Sequence, residues 1–152
     1  MSKQVPVLLT PPQARQLAQA LAGLRGLIGV VAFVSPSVAL RPWAGAAVAA
    51  HPGGRLVGRA LGGRDLALSA GAFLAMRHDG RVRGWIEAGG LADTGDVLAT
   101  LVAFRHLPKR TRWGVLALTL GAVAAAYVVA PSVDEQGWGT SLPPEASPSP
   151  AC

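Results

Sequence analysis

Two apolar stretches of this chain each hold charged residues near their middle, and that conflict restricts the folds open to it. Leu56 to Met76 contains Arg64 and Asp65, and Val82 to Phe104 contains Asp93 and Asp96. Each stretch has the roughly 20 residues a helix needs to cross a bilayer. A charge in hydrocarbon costs several kcal/mol unless it is paired or wetted, so such residues turn toward other protein segments or a water-filled cavity. The chain must bring its charged stretches together, or it cannot place them in lipid at all.

Composition favours the lipid setting. Hydrophobic residues make up 51% of the 152 residues and charged residues 14%, against about 25% charged in an ordinary soluble domain. Aromatics are few, so the apolar mass is Ala, Val, Leu and Gly, which suits helices packed closely in a membrane. The net charge of +6 does not point to nucleic acid. The basic residues fall in short groups between apolar runs, as membrane loops do, and no aromatic-basic platform or zinc spacing is present. Twelve of the 14 basic residues are Arg, a bias of GC-rich bacterial coding. The single cysteine, Cys152, excludes an internal disulfide and a Cys-x-x-Cys redox pair. The first twenty residues lack the continuous apolar core of a secretory signal.

Read in order, the chain suggests three parts. Residues 1–20 form a mobile lead and the start of an interfacial helix, with Thr10 and Gln13 in capping-box positions around Pro11 and Pro12. Residues 21–130 form a four-helix transmembrane domain with spans at about 21–40, 56–76, 82–104 and 113–130. Pro36 is expected to kink the first span near its end. Ala44 to Ala50 is too short to cross and reads as an interfacial helix, and His51-Pro52-Gly53-Gly54 should break any helix there. Gly58 and Gly62 make a small-xxx-small pattern that admits a close neighbour. Arg77 to Arg81 is a tight turn that makes the second and third spans antiparallel neighbours. Residues 131–152, rich in Pro, Ser and acid, read as a disordered tail. Counting basic residues leans the Arg105–Arg112 side toward the cytoplasm.

Depth along each helix, at about 1.5 Å per residue, proposes partners for the charges. Arg64 and Asp96 lie at matching depth from one side, so they form the first expected pair, with Asp93 one turn deeper and within reach of Arg64. Arg25 and Glu87 match from the other side and form the second. Asp65 points about 100° away from Arg64 and is assigned a hydroxyl such as Ser35 or Thr119. Structural pairing is the favoured role for these residues. The functional reading makes Asp93 and Asp96 acid and base, with Arg64 and Asp65 beside them as further catalytic candidates. His51, His78 and His106 fall in loops on both sides and cannot converge with these acids, so no metal site is expected. No pattern calls for a cofactor.

Arg25 followed by Gly29 and Pro36, then Gly63-Arg64-Asp65 with Leu68, then Trp85, Gly89, Asp93 and Asp96, resembles a family of small four-helix integral membrane proteins common in actinobacteria. The match covers about Leu21 to Phe104. The layout is also similar, more loosely, to DoxX-like four-helix membrane proteins. The resemblance implies a four-helix bundle and no particular activity. A thiol-quinone role proposed for some DoxX-like proteins is not expected, because no cysteine lies near the charges.

The sequence therefore predicts an all-α, four-helix transmembrane bundle, multi-pass in a bacterial cytoplasmic membrane. Its leading functional reading is a non-catalytic scaffold or accessory subunit with buried Arg–carboxylate pairs. The alternatives are an intramembrane acid-base enzyme of cyclase or isomerase type, acting on a lipophilic metabolite, and a proton-linked carrier. The partners implied are the lipid bilayer and another membrane protein or a lipophilic small molecule, with no nucleic acid. An enzyme predicts a lateral apolar pocket beside Asp96, a carrier predicts a polar path from both sides, and a scaffold predicts neither.

Overall fold

A computed structural model describes residues 9–134, and these are helical with no strand among them. Six α-helices follow one another: α1 Pro11–Val34, α2 Pro36–Ala44, α3 Ala46–Ala50, α4 Pro52–Arg77, α5 Arg83–Ala103 and α6 Arg112–Val129, closed by a 3-10 turn at Ala130–Ser132. Prolines set three of the starts. Pro11, Pro36 and Pro52 open α1, α2 and α4, where a missing N–H and a fixed φ cost nothing. At the first of these, Thr10 donates its N–H to Gln13 Oε1 at 3.1 Å.

The prolines also correct the expected boundaries. The first span was expected over 21–40. Instead α1 begins ten residues earlier, with Ala14 and Ala18 buried, and it ends at Val34. Ser35 leaves the helical region at φ −127° and ψ 64°, as a residue before proline tends to. The second span starts at Pro52 rather than Leu56. His51-Pro52-Gly53-Gly54 opens this helix rather than breaking it, and His51 Nδ1 accepts the Gly53 N–H at 3.1 Å. The short helix expected over Ala44 to Ala50 is present as α3. The turn between α4 and α5 holds Asp79 at φ 52°.

Packing is organised in two pairs. α1 lies along α4 and α5 lies along α6, while α4 and α5 touch less extensively. Glycine allows the first pair to close. A Cβ on Gly62 would stand 2.6 Å from the Phe33 amide nitrogen and 2.7 Å from the Gly29 carbonyl oxygen, and one on Gly58 would stand 2.8 Å from Pro36 Cβ. The second pair meets where a Cβ on Gly90 would lie 2.9 Å from Ala126 Cβ. Trp85 sits over Gly71.

The interior is built mostly of small residues, joined by Leu40, Met76, Ile86 and Leu116, and most of the large aliphatic side chains are on the exterior. The largest fully buried side chains are Val82, Val129, Val133, Thr100 and Ser132. Leu24, Leu27 and Val34 on α1, Leu56 and Leu74 on α4, Leu91, Leu98 and Val102 on α5, and Leu118 and Tyr127 on α6 are exposed. Two helical segments, Pro11–Val34 and Arg112–Ser132, are long and apolar enough to cross a membrane.

Residues 132–134, expected to belong to a disordered tail, pack against the bundle instead. Ser132 and Val133 are buried, and Asp134 accepts the Val82 N–H at 3.0 Å and the Arg83 N–H at 3.1 Å. Its carboxylate satisfies donors that open α5 and favours that positive helix end. The lead over residues 1–8 and the tail from 135 onward lie outside the described residues.

Candidate functional site

Near the mid-height of the bundle, Arg25 of α1, Arg64 and Asp65 of α4, and Asp93 and Asp96 of α5 join in one chain of ion pairs. Arg64 donates Nη1 to Asp96 Oδ1 at 3.1 Å and Nη2 to Asp96 Oδ2 at 2.9 Å. This two-toothed contact is the directional form that a guanidinium and a carboxylate favour. It joins the two residues that depth had matched. Arg64 also donates Nε and Nη2 to Asp65 Oδ1, at 3.2 and 3.1 Å. Arg25 then donates Nη1 to the same Asp65 oxygen at 3.2 Å and Nη2 to Asp93 Oδ2 at 2.5 Å. The order is Asp96, Arg64, Asp65, Arg25, Asp93.

Three expected partnerships are corrected. Arg25 does not meet Glu87, which instead accepts from Arg83 Nε one turn before it at 2.6 Å, on the exposed face of α5. The depth estimate placed Arg25 four residues into a helix that in fact starts at Pro11, so Arg25 lies at mid-height. Helical phase decides the rest. Gly89 and Asp93 are four apart on one face, and the Arg25 guanidinium crosses bare Gly89, where a Cβ would stand 3.1 Å from Nη2. Asp93 therefore belongs to Arg25 and not to Arg64. Asp65 binds neither Ser35 nor Thr119. The Thr119 hydroxyl donates to carbonyl oxygens of its own helix, and Asp65 is met by both arginines. The 100° between Arg64 and Asp65 separates their Cβ directions only, and the long arginine side chain curls back across it.

Hydroxyl and indole groups fix the surroundings. Ser69 of α4 donates to the Ala22 carbonyl of α1 at 2.8 Å, three residues from Arg25. Thr100 donates to the Asp96 carbonyl at 2.6 Å and accepts the Trp43 indole N–H at 3.1 Å. This ties α2 to α5 just below the network. No sequence signal joined Trp43 to Thr100. The one available hint was Thr100 standing four residues after Asp96.

The network forms one wall of a partly open cavity of about 260 Å³. Asp65, Asp93, Asp96 and Arg25 line it, and the remaining walls are apolar apart from Thr119. They come from Leu24 and Ile28 of α1, Leu40 and Trp43 of α2, Leu61 of α4, and Val115, Leu118 and Ala122 of α6. Arg64 stands behind this wall, with 31% of its side chain exposed against 17% for Arg25. No family model, curated protein or solved structure matches the chain. The histidines stand apart from the network. His51 and His78 flank the two ends of α4, and His106 lies in the α5–α6 loop.

A polar wall facing an apolar cavity orients a ligand by a few groups while its bulk is desolvated. The three carboxylates offer proton acceptors, or donors when protonated. The two guanidiniums hold them in place and supply fixed positive charge.

Proposed function

We propose that the chain is a four-span membrane protein that holds a lipophilic small molecule in the cavity between α1, α2 and α6, and acts on it by acid-base chemistry from the carboxylate wall. The observation that carries this reading is the cavity itself: an apolar pocket whose polar wall consists of Asp65, Asp93 and Asp96. A scaffold with closed pairs has no use for such a pocket, and a carrier needs a polar path to both sides, whereas the cavity walls other than Arg25, the three acids and Thr119 are apolar.

The membrane setting draws support from α1 and α6, which are long and apolar enough to cross, and from the length of α4 and α5. In chain order the four contain 24, 26, 21 and 18 residues, which at 1.5 Å per residue gives about 27 to 39 Å against a hydrocarbon thickness of about 30 Å. Arg64, Asp65, Asp93 and Asp96 turn to one another, and apart from Arg55, Arg59 and the helix ends the large exposed residues of α4 and α5 are apolar. A soluble protein buries its large aliphatic side chains. This one buries mostly small residues and leaves most of its large aliphatic side chains outward, as helices packed in lipid do.

Within the wall the roles divide by hydrogen bonding. Both oxygens of Asp96 are engaged by Arg64. Asp93 uses one oxygen for Arg25 and Asp65 uses one for both arginines, so each keeps one oxygen for a proton or a ligand. Asp93 and Asp65 are the proton-transfer groups in this reading, each through its remaining oxygen.

The test is to express the wild type, Asp93→Asn and Asp96→Asn in a bacterial host and compare organic extracts of the membranes. Folding is checked by the thermal midpoint of each purified protein. The expected result is a lipophilic compound that accumulates with Asp93→Asn while its isomer or proton-transfer product is lost. Identical extracts from the wild type and a folded Asp93→Asn protein would overturn the enzymatic reading.

A further inference from the structure

The ion-pair network does not balance. Three carboxylates, Asp65, Asp93 and Asp96, meet two guanidiniums, Arg25 and Arg64. With every group ionised, the site carries one negative charge more than positive. α2 and α6 bring no charged side chain to the cavity, and α1, α4 and α5 bring none beyond these five. An uncompensated charge in a low-dielectric site is costly, so something positive completes it.

The place for that positive group is defined by geometry. Asp65 and Asp93 are each 8% exposed, and both line the cavity. Asp65 accepts all its hydrogen bonds on Oδ1, and Asp93 accepts its bond on Oδ2. Asp65 Oδ2 and Asp93 Oδ1 therefore accept none among the described residues. Arg25 spans these two carboxylates from one side, and the open cavity lies on another. Thr119 and the apolar walls face them there. Nothing on those walls supplies a cation.

The geometry points to a lipophilic amine as the occupant, bound as its ammonium ion at Asp65 and Asp93 with its hydrocarbon portion against Leu24, Ile28 and Leu118. This rests on the cavity reading proposed above and names the ligand's class. Without ligand, a proton occupies the same place and neutralises the site. Amine binding then proceeds by exchange: the ammonium enters, one carboxyl gives up its proton to water or buffer, and the charge of the site stays at zero. No bond other than that O–H is broken. A neutral lipophile of the same length fills the cavity but leaves the proton where it is. A lipophilic anion is repelled.

The experiment uses the full chain in nanodiscs of zwitterionic phosphatidylcholine. Calorimetric titrations with dodecylammonium and with dodecanol are run in two buffers of different ionisation enthalpy. The wild type is expected to bind dodecylammonium at least about tenfold more tightly than dodecanol, a difference of about 1.4 kcal/mol, with release of about one proton per amine bound. Asp93→Asn and Asp65→Asn should each lose most of that preference and the proton release. Ala122→Phe, which fills the pocket, should weaken both ligands. If dodecanol binds the wild type as tightly as dodecylammonium, and Ala122→Phe weakens both, the cavity reading stands and the amine assignment is overturned. Amine binding without proton release also overturns it. If neither ligand distinguishes the wild type from Ala122→Phe, the cavity reading itself falls. The proton count on the wild type needs no variant, so a misfolded mutant does not remove the test.

Discussion

Replacing Arg25 with methionine takes the central cation out of the network. Met keeps much of the aliphatic packing along Gly89 but leaves Asp93 with no partner and Asp65 with only Arg64. The Arg25 side chain is 17% exposed and that of Asp93 11%, so solvent screens the loss weakly. Breaking a buried pair by removing one partner costs about 3–5 kcal/mol, because a charge is left uncompensated. That corresponds to roughly two to nearly four decades in the unfolding equilibrium. Equilibrium unfolding by SDS in mixed micelles, followed by circular dichroism, reads this loss. The double mutant Arg25→Met with Asp93→Asn removes both charges. It should recover about 1–3 kcal/mol relative to additivity, the range for residues in direct contact. A parallel cycle with Glu87→Gln should be additive within about 0.5 kcal/mol, since Glu87 belongs to Arg83. Additivity for Arg25 with Asp93, or coupling for Arg25 with Glu87, would refute the assignment of partners.

Other outcomes follow from single contacts. Gly62→Leu forces α1 and α4 apart where a Cβ already meets the Phe33 backbone, and should destabilise the protein by about 1–3 kcal/mol in the same unfolding assay. Asp134→Ala removes both acceptor oxygens at the start of α5 and should cost about 1–2 kcal/mol, with faster amide exchange at Val82 and Arg83. Trp43→Phe loses the indole hydrogen bond to Thr100 and should cost about 0.5–1.5 kcal/mol, read as a lower thermal midpoint. Arg83→Ala breaks an exposed i,i+4 pair and should change stability by no more than about 0.5 kcal/mol.

The sequence disclosed the helices and the Arg64–Asp96 contact better than it disclosed the rest of the site. Apolar runs of bilayer length report a helix whatever its neighbours, and a charge inside such a run demands a partner. Depth is a single coordinate, though, and pairing needs two. Arg64 and Asp96 met because both depth and face agreed. Arg25 and Glu87 failed because the start of α1 was read ten residues late and because Glu87 lies off the Gly89–Asp93 face. Gly89 was visible in the sequence, but its use, as the gap a guanidinium crosses, follows only once α1 is placed beside α5. Proline misled in opposite directions. Pro36 was taken for a kink and starts a new helix, while Pro52 was taken for a breaker and opens α4. Asp134 looked like part of a polar tail, because an acid that caps another helix 51 residues earlier leaves no local signature. The cavity was beyond reach of the sequence, since its walls come from five helices.

We expect the apolar outer face of α5 to lie in lipid while the network it shares with α4 is held inside. Single cysteines test it directly. With Cys152→Ser as background, thiols at Leu91→Cys and Leu98→Cys on α5, and at Asp79→Cys and Lys109→Cys in the flanking loops, are exposed to a membrane-impermeant maleimide. Intact spheroplasts and inverted vesicles are compared. Asp79→Cys and Lys109→Cys should label from opposite sides, and Leu91→Cys and Leu98→Cys from neither until the membrane is dissolved. Labelling of Leu91→Cys and Leu98→Cys as fast as the loops, from either side, would mean that this face of α5 is in water and not in lipid.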